Sequence, residues 1–223
     1  MQIRELQLLT THLAAQQEFY TRVLDLPCVG ADPLTVQAGR SRLRFTEPAA
    51  GPAGVYHFAF NIPRNQFAAA KAWVSARVPL LRDSTGTDTF HSEGWNADMV
   101  YFADPAGNIL EFIARHTLAT DAPGPFTAAS ILSISEIGLA TEDVPATVQW
   151  LETAVGVPVY NGPGSDTFTP VGDAEGLFIV VKQGRIWVPD TGIPAELLPV
   201  QVTVEASGAG QTLTGPPYRV TAE

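Results

Sequence analysis

The chain has 223 residues, of which 16% are charged and 45% belong to the hydrophobic set AVILMFWYC, a balance that excludes an intrinsically disordered polypeptide. Thirteen basic residues against 23 acidic ones leave a net charge of −10, and no cluster of Lys or Arg is present to neutralise a phosphate backbone, which argues against nucleic acid as a partner. The single cysteine, Cys28, permits neither an intramolecular disulfide nor a Cys-based zinc site, and it reads as a small hydrophobe in a reducing compartment.

The longest apolar runs, such as Leu177 to Val181, fall far short of the ~18 residues that a membrane span requires. The opening Met1-Gln2-Ile3-Arg4-Glu5 does not begin a basic-then-apolar leader. A soluble, cytoplasmic protein with no membrane contact is the expectation.

In chain order, Ile3-Arg4-Glu5-Leu6-Gln7-Leu8-Leu9-Thr10 reads as a strand, and Leu13, Phe19 and Val23 recur at helical spacing after it. Runs Leu34 to Ala38 and Ser41 to Thr46 then read as short strands between turn residues. A second unit follows, with strand Val55 to Ile62, helix Gln66 to Ala76, and strands Asp98 to Ala103 and Ile109 to Ala114. The last two are joined by Asp104-Pro105-Ala106-Gly107-Asn108, a run whose Pro and Gly suit a tight turn.

The first unit repeats. Ile134-Ser135-Glu136-Ile137-Gly138-Leu139-Ala140-Thr141 superimposes without gaps on the run from Ile3, and the match continues with Leu13 on Val144, Phe19-Tyr20 on Trp150-Leu151 and Pro27 on Pro158. Strands at Thr167 to Val171 and Leu177 to Val181 complete this third unit, and Val200-Gln201-Val202-Thr203-Val204 starts a fourth that the chain leaves without room for a helix and hairpin. The expected class is α+β, with paired β-α-β-β-β modules forming cupped mixed β-sheets and the second pair incomplete. Domain limits are set at 1–118 and 129–223, with the turn-rich 119–128 as linker.

With these units, Phe19-Tyr20 before Val23-Leu24-Asp25-Leu26, and the run Tyr101-Phe102-Ala103-Asp104-Pro105-Ala106-Gly107-Asn108-Ile109-Leu110-Glu111-Phe112, the chain resembles the vicinal oxygen chelate superfamily of glyoxalase I, bleomycin- and fosfomycin-resistance proteins and extradiol dioxygenases. The resemblance implies that two consecutive units face each other as a cup, here within 1–118, with metal ligands on the first and last strand of each. Carried over residue by residue, those positions fall on Glu5, Arg44, His57 and Glu111. Arg44 cannot ligate a cation, because guanidinium offers no acceptor.

Glu5, His57 and Glu111 would suit a divalent ion such as Mn²⁺, Fe²⁺, Ni²⁺ or Zn²⁺ with open positions for a substrate that presents two neighbouring oxygens. An ion pair of Glu5 with Arg44 is the alternative role for Glu5. Glu136, Gln201 and Phe178 are expected at the matching positions of the second half, where no complete metal site forms. Tyr101 has the strand parity to face the cup and orient a substrate oxygen, and His91 sits in a polar loop that would cover its mouth. Glu111, Tyr101 and His91 are the catalytic candidates.

A metal-dependent lyase, isomerase or dioxygenase acting on a small molecule is the leading expectation, and a metal-free binding or resistance protein is the alternative. The truncated fourth unit adds a third reading, a sheet edge left open to a second copy of the chain in a homodimer.

Overall fold

The protein is described by a computed structural model that covers residues 1–51, 53–207, 210–215 and 217–223. The first unit comprises β1 (Gln2–Leu9), α1 (Leu13–Glu18) running into a π-helical turn (Phe19–Val23), β2 (Cys28–Val29), β3 (Leu34–Ala38) and β4 (Ser41–Thr46). The second has β5 (His57–Asn61), α2 (Phe67–Ser75), β6 (Phe90–Ser92), β7 (Ala97–Ala103) and β8 (Ile109–Arg115). A 3₁₀ turn at Ala128–Ser130 leads to the third, β9 (Ser133–Thr141), α3 (Val144–Val155), β10 (Phe168–Asp173) and β11 (Gly176–Lys182). The fourth has β12 (Val200–Glu205), β13 (Gln211–Gly215) and β14 (Tyr218–Ala222). The architecture is mixed α+β, dominated by a 14-stranded mixed sheet.

Local chemistry explains the boundaries. Asp143 caps α3 by accepting from the Ala146 amide, Pro145 sits in the first turn, and Gly156 ends the helix with a left-handed φ of 70°. In the β7–β8 turn the Asp104 carboxylate accepts from the amides of Ala106 (2.9 Å) and Asn108 (3.1 Å) and from Gln16 Nε2 (2.7 Å). The turn marked by Pro and Gly is thereby tied to the first helix.

The units pair differently from the expectation. β1 pairs antiparallel with β12, so the first unit faces the fourth, and β5 pairs antiparallel with β9, so the second faces the third. Among the described residues, no cup forms from units one and two. The fourth unit also goes further than expected: β13 and β14 form a hairpin, β14 lies parallel to β12, and no helix separates β12 from β13 among the described residues. Its first strand is therefore an interior strand rather than an open edge.

Side-chain polarity on the faces away from the helices accounts for this choice of partners. On units one and four that face carries Glu5, Gln7, Arg42, Arg44, Gln201, Thr203, Arg219 and Thr221, none of them buried. On units two and three it carries Ala59, Met99, Tyr101, Ile109, Ile113, Leu177, Ile179 and Val181, all of which are buried in one cluster. Joining the two apolar faces removes both from water, while the two polar faces stay hydrated without cost.

The repeat preserves a backbone irregularity as well as a pattern. Between β1 and β12 the register steps from Ile3↔Val204 to Glu5↔Thr203, leaving Arg4 as the extra residue of a bulge. Between β5 and β9 it steps from Phe60↔Ile134 to Ala59↔Glu136, leaving Ser135. In both copies the glutamate follows the bulge.

Candidate metal centre

A single row across the sheet builds the site. Ala59 is in register with Glu111 on β8 and with Glu136 on β9; Glu111 is in register with Tyr101 on β7, and Glu136 with Leu177 on β11. Residues in register share a face, so Tyr101, Glu111, Ala59 and Glu136 all point into the cup, and His57 joins them two residues along β5. The methyl group of Ala59 leaves room for the two flanking carboxyl groups to approach.

One ligand atom from each of His57, Glu111 and Glu136 lies within 4.8 Å of the other two, and all three residues are buried. His57 Nδ1 bonds the Ile109 carbonyl at 3.1 Å, and its Nε2 stands 3.7 Å from a Glu111 oxygen. Burial lowers the imidazole pKa to about 4, so the ring is neutral at pH 7. Nδ1 then carries the proton toward Ile109, and Nε2 turns its lone pair to the cup.

Glu111 is pushed well above the ordinary carboxyl range, chiefly by burial and then by the charge of Glu136, with Arg115 opposing. Its Oε1 is buried without a hydrogen-bond partner. Glu136 is raised less, because the guanidinium of Arg115 bonds it directly. Arg115 lies two pleats beyond Glu111 on the same face of β8, reaches the Ser135 hydroxyl of the bulge at 3.4 Å, and sits 5.2 Å from the Trp95 ring centre. It is wholly buried, and its second terminal nitrogen has no partner.

A cavity of about 110 Å³ opens over this floor. Its walls are aromatic: Trp95, Tyr101, Phe168 and Trp187. The roof is the segment after β11, folded back by bonds between Gly184 and Ala195, Arg185 and Ala195, and Trp187 and Ile193. Trp187 packs its ring 5.0 Å from that of His57.

Of the sequence candidates, the structure brings His57, Glu111 and Tyr101 together and leaves Glu5 and His91 elsewhere. Glu5 bonds Arg42 Nε and Arg44 Nη1, each at 3.0 Å, on the open face of unit one; the ion pair is the arrangement found. His91 faces Asp98 across β6 and β7, on the side opposite Tyr101, and bonds it at 2.8 Å. The other oxygen of Asp98 holds His116, also at 2.8 Å.

Glu136 supplies the third donor where Glu5 was expected. The signal was present in the exact repeat of Glu5 as Glu136, and its use required knowing which units pair. The position in unit three that matches Arg44 is Ile179 rather than Phe178, since Glu5 aligns with Arg42 and Glu136 with Leu177.

The three donors fit a divalent cation. They offer a free imidazole nitrogen, a carboxylate oxygen with no other partner, and a second carboxylate, a set suited to Mn²⁺, Fe²⁺, Ni²⁺ or Zn²⁺. No described helix is long and apolar enough to cross a membrane.

Neither family models nor curated proteins match the sequence. Among solved structures, the chain is similar to a putative dioxygenase from Bacillus subtilis subsp. subtilis str. 168, with 19% identity over 93% of this chain and 71% of that one and a TM-score of 0.61. It is also similar to a mutant of glyoxalase I from Zea mays, with 13% identity over 99% and 92% of the two chains and a TM-score of 0.60. Glyoxalase I from Zea mays itself aligns at 15% identity over 91% of this chain and 74% of that one, TM-score 0.53. The β-α-β-β-β units, the paired sheets and these neighbours together give the chain the fold of the vicinal oxygen chelate superfamily.

Proposed function

We propose that the cup between units two and three is a divalent-metal site at which a small molecule with two neighbouring oxygens is transformed, by lyase, isomerase or dioxygenase chemistry. The observation that carries this reading is the convergence of His57, Glu111 and Glu136 within 4.8 Å in a largely apolar, aromatic-walled cavity. Apolar surroundings make a trio of this kind costly without a ligand. The names of the neighbours, a dioxygenase and glyoxalase I, agree with that class of chemistry.

A bound divalent ion would polarise a carbonyl and stabilise negative charge on substrate oxygens. The chain's own groups supply the remainder. Glu111, whose Oε1 has no partner among the described residues, is placed to exchange a proton with a substrate carbon or oxygen above it. The buried hydroxyl of Tyr101 stands in the same row and orients a substrate oxygen. Arg115 fixes the Glu136 carboxylate, and Trp187 with Trp95 excludes water from the floor.

Titration of chelator-treated protein with Mn²⁺, Fe²⁺, Ni²⁺ and Zn²⁺ tests the reading. His57→Ala and Glu136→Gln are expected to weaken binding by at least tenfold, whereas Glu5→Gln leaves it unchanged. Loss of binding in Glu5→Gln alone, or no binding by the unmodified protein, defeats the proposal.

A metal-free binding protein is the second reading. It is favoured by one observation: Arg115 already brings a positive charge to Glu136. On that reading ligand affinity is indifferent to chelator.

A further inference from the structure

Two hydrogen-bond donors on the roof of the cup have no acceptor among the described residues. Arg185 lines the cavity, and among the described residues its guanidinium makes neither a hydrogen bond nor an ion pair; it rests over the Phe168 ring at 5.2 Å. The indole nitrogen of Trp187, on the same segment, is buried without a partner. Arg185 is exposed at the rim of the one described cavity that holds a buried His and two Glu, so water meets its guanidinium until a ligand displaces it.

We propose that Arg185 and Trp187 receive the carboxylate of the substrate, so that the cup selects a small planar carboxylic acid whose neighbouring oxygens lie at the opposite end of the molecule. This rests on the reading of the floor as the oxygen-binding end. The orientation follows from the two ends of the cavity: the ion on the floor would take the neighbouring oxygens, while the Arg185 guanidinium and the Trp187 indole offer the roof N–H donors that no group among the described residues occupies. An aromatic wall of Trp95 and Phe168, whose rings stack 6.3 Å apart at 29°, together with Tyr101 favours a flat ligand body. A guanidinium already resting on an aromatic face is held where it can bond a carboxylate edge without first being ordered.

The test compares 3,4-dihydroxybenzoate with its uncharged amide, 3,4-dihydroxybenzamide, by calorimetry under anaerobic conditions, on chelator-treated and on Zn²⁺-loaded protein. The carboxylate is expected to bind about tenfold tighter than the amide, as one charge-assisted bond provides. Arg185→Met should erase that preference and Arg185→Lys retain part of it. Equal binding of the two compounds, a preference that survives Arg185→Met, or no binding of either with or without Zn²⁺ overturns the inference. A carboxylate preference that depends on Arg185 in protein that takes up no Zn²⁺ upholds the anion site while defeating the metal reading of the floor.

Discussion

Trp187 rests against Gly138 so closely that a Cβ on Gly138 would lie 2.5 Å from the ring's Cη2 and 2.9 Å from Cζ2. The glycine is thus the seat of the roof. Gly138→Ala should push the ring off His57, at a cost of about 1–3 kcal/mol from overpacking, and expose the indole. A red shift of Trp emission, measured against a Trp187→Phe control to isolate this ring, checks the outcome; an unshifted spectrum would mean that the ring is not held there.

Arg115 and Glu136 form a buried pair at the floor. Removing Arg115 alone strands a carboxylate, which costs about 3–5 kcal/mol, whereas removing both charges costs far less. Arg115→Met should therefore lower the urea midpoint sharply, and Arg115→Met with Glu136→Gln should recover most of it. Additive losses in the double variant would show that the two residues are not coupled.

Ala59 separates the two carboxylates by nothing larger than a methyl group. Ala59→Leu would fill the space between Glu111 and Glu136, with an overpacking cost of about 1–3 kcal/mol. The expected result is a folded protein by circular dichroism that no longer takes up metal. Retention of the unmodified affinity would place the binding elsewhere.

The depressed pKa of His57, about 4 against 6.5, makes stability depend on pH. Below pH 6.5 the unfolded chain takes up a proton that the folded chain refuses, so this contribution is complete above 6.5 and is lost as pH falls toward 4. Its full size is roughly 3 kcal/mol. Glu111, shifted upward, acts in the opposite sense, stabilising at low pH and losing effect as pH rises. The His57 share is read from urea midpoints of chelator-treated protein at pH 7.5 and 5, where His57→Gln should lose less stability on acidification than the unmodified chain. An equal loss in both would show that His57 ionises normally.

Much of the fold was legible in residue order. Strand and helix positions followed from alternation and helical spacing, as with Ser41–Thr46 and Leu34–Ala38, because local periodicity reflects which face meets a core. The gap-free match of Ile3 with Ile134 marked the repeat, down to a glutamate after each bulge. Strand parity turned Tyr101 toward the cup, and the family resemblance pointed to His57 and Glu111 as ligands on it. His91 was not assigned a face, because a polar loop gave no register, and one residue of offset on β6 turns the side chain to the other side.

What residue order left open was partnership. Each unit begins with a strand whose edge can pair with any of the others, and hydrogen bonds between backbones do not distinguish them. Only when the faces are assembled does the difference appear: apolar Ile109, Ile113, Ile179 and Val181 are buried together, while Glu5, Arg42 and Arg44 satisfy one another in the open. Repetition in residue order, read with the family resemblance, led to the expectation of a glutamate, a histidine and a second glutamate facing a cup. Burial of the two apolar sheets against each other made the first of these Glu136 and left Glu5 in an ion pair.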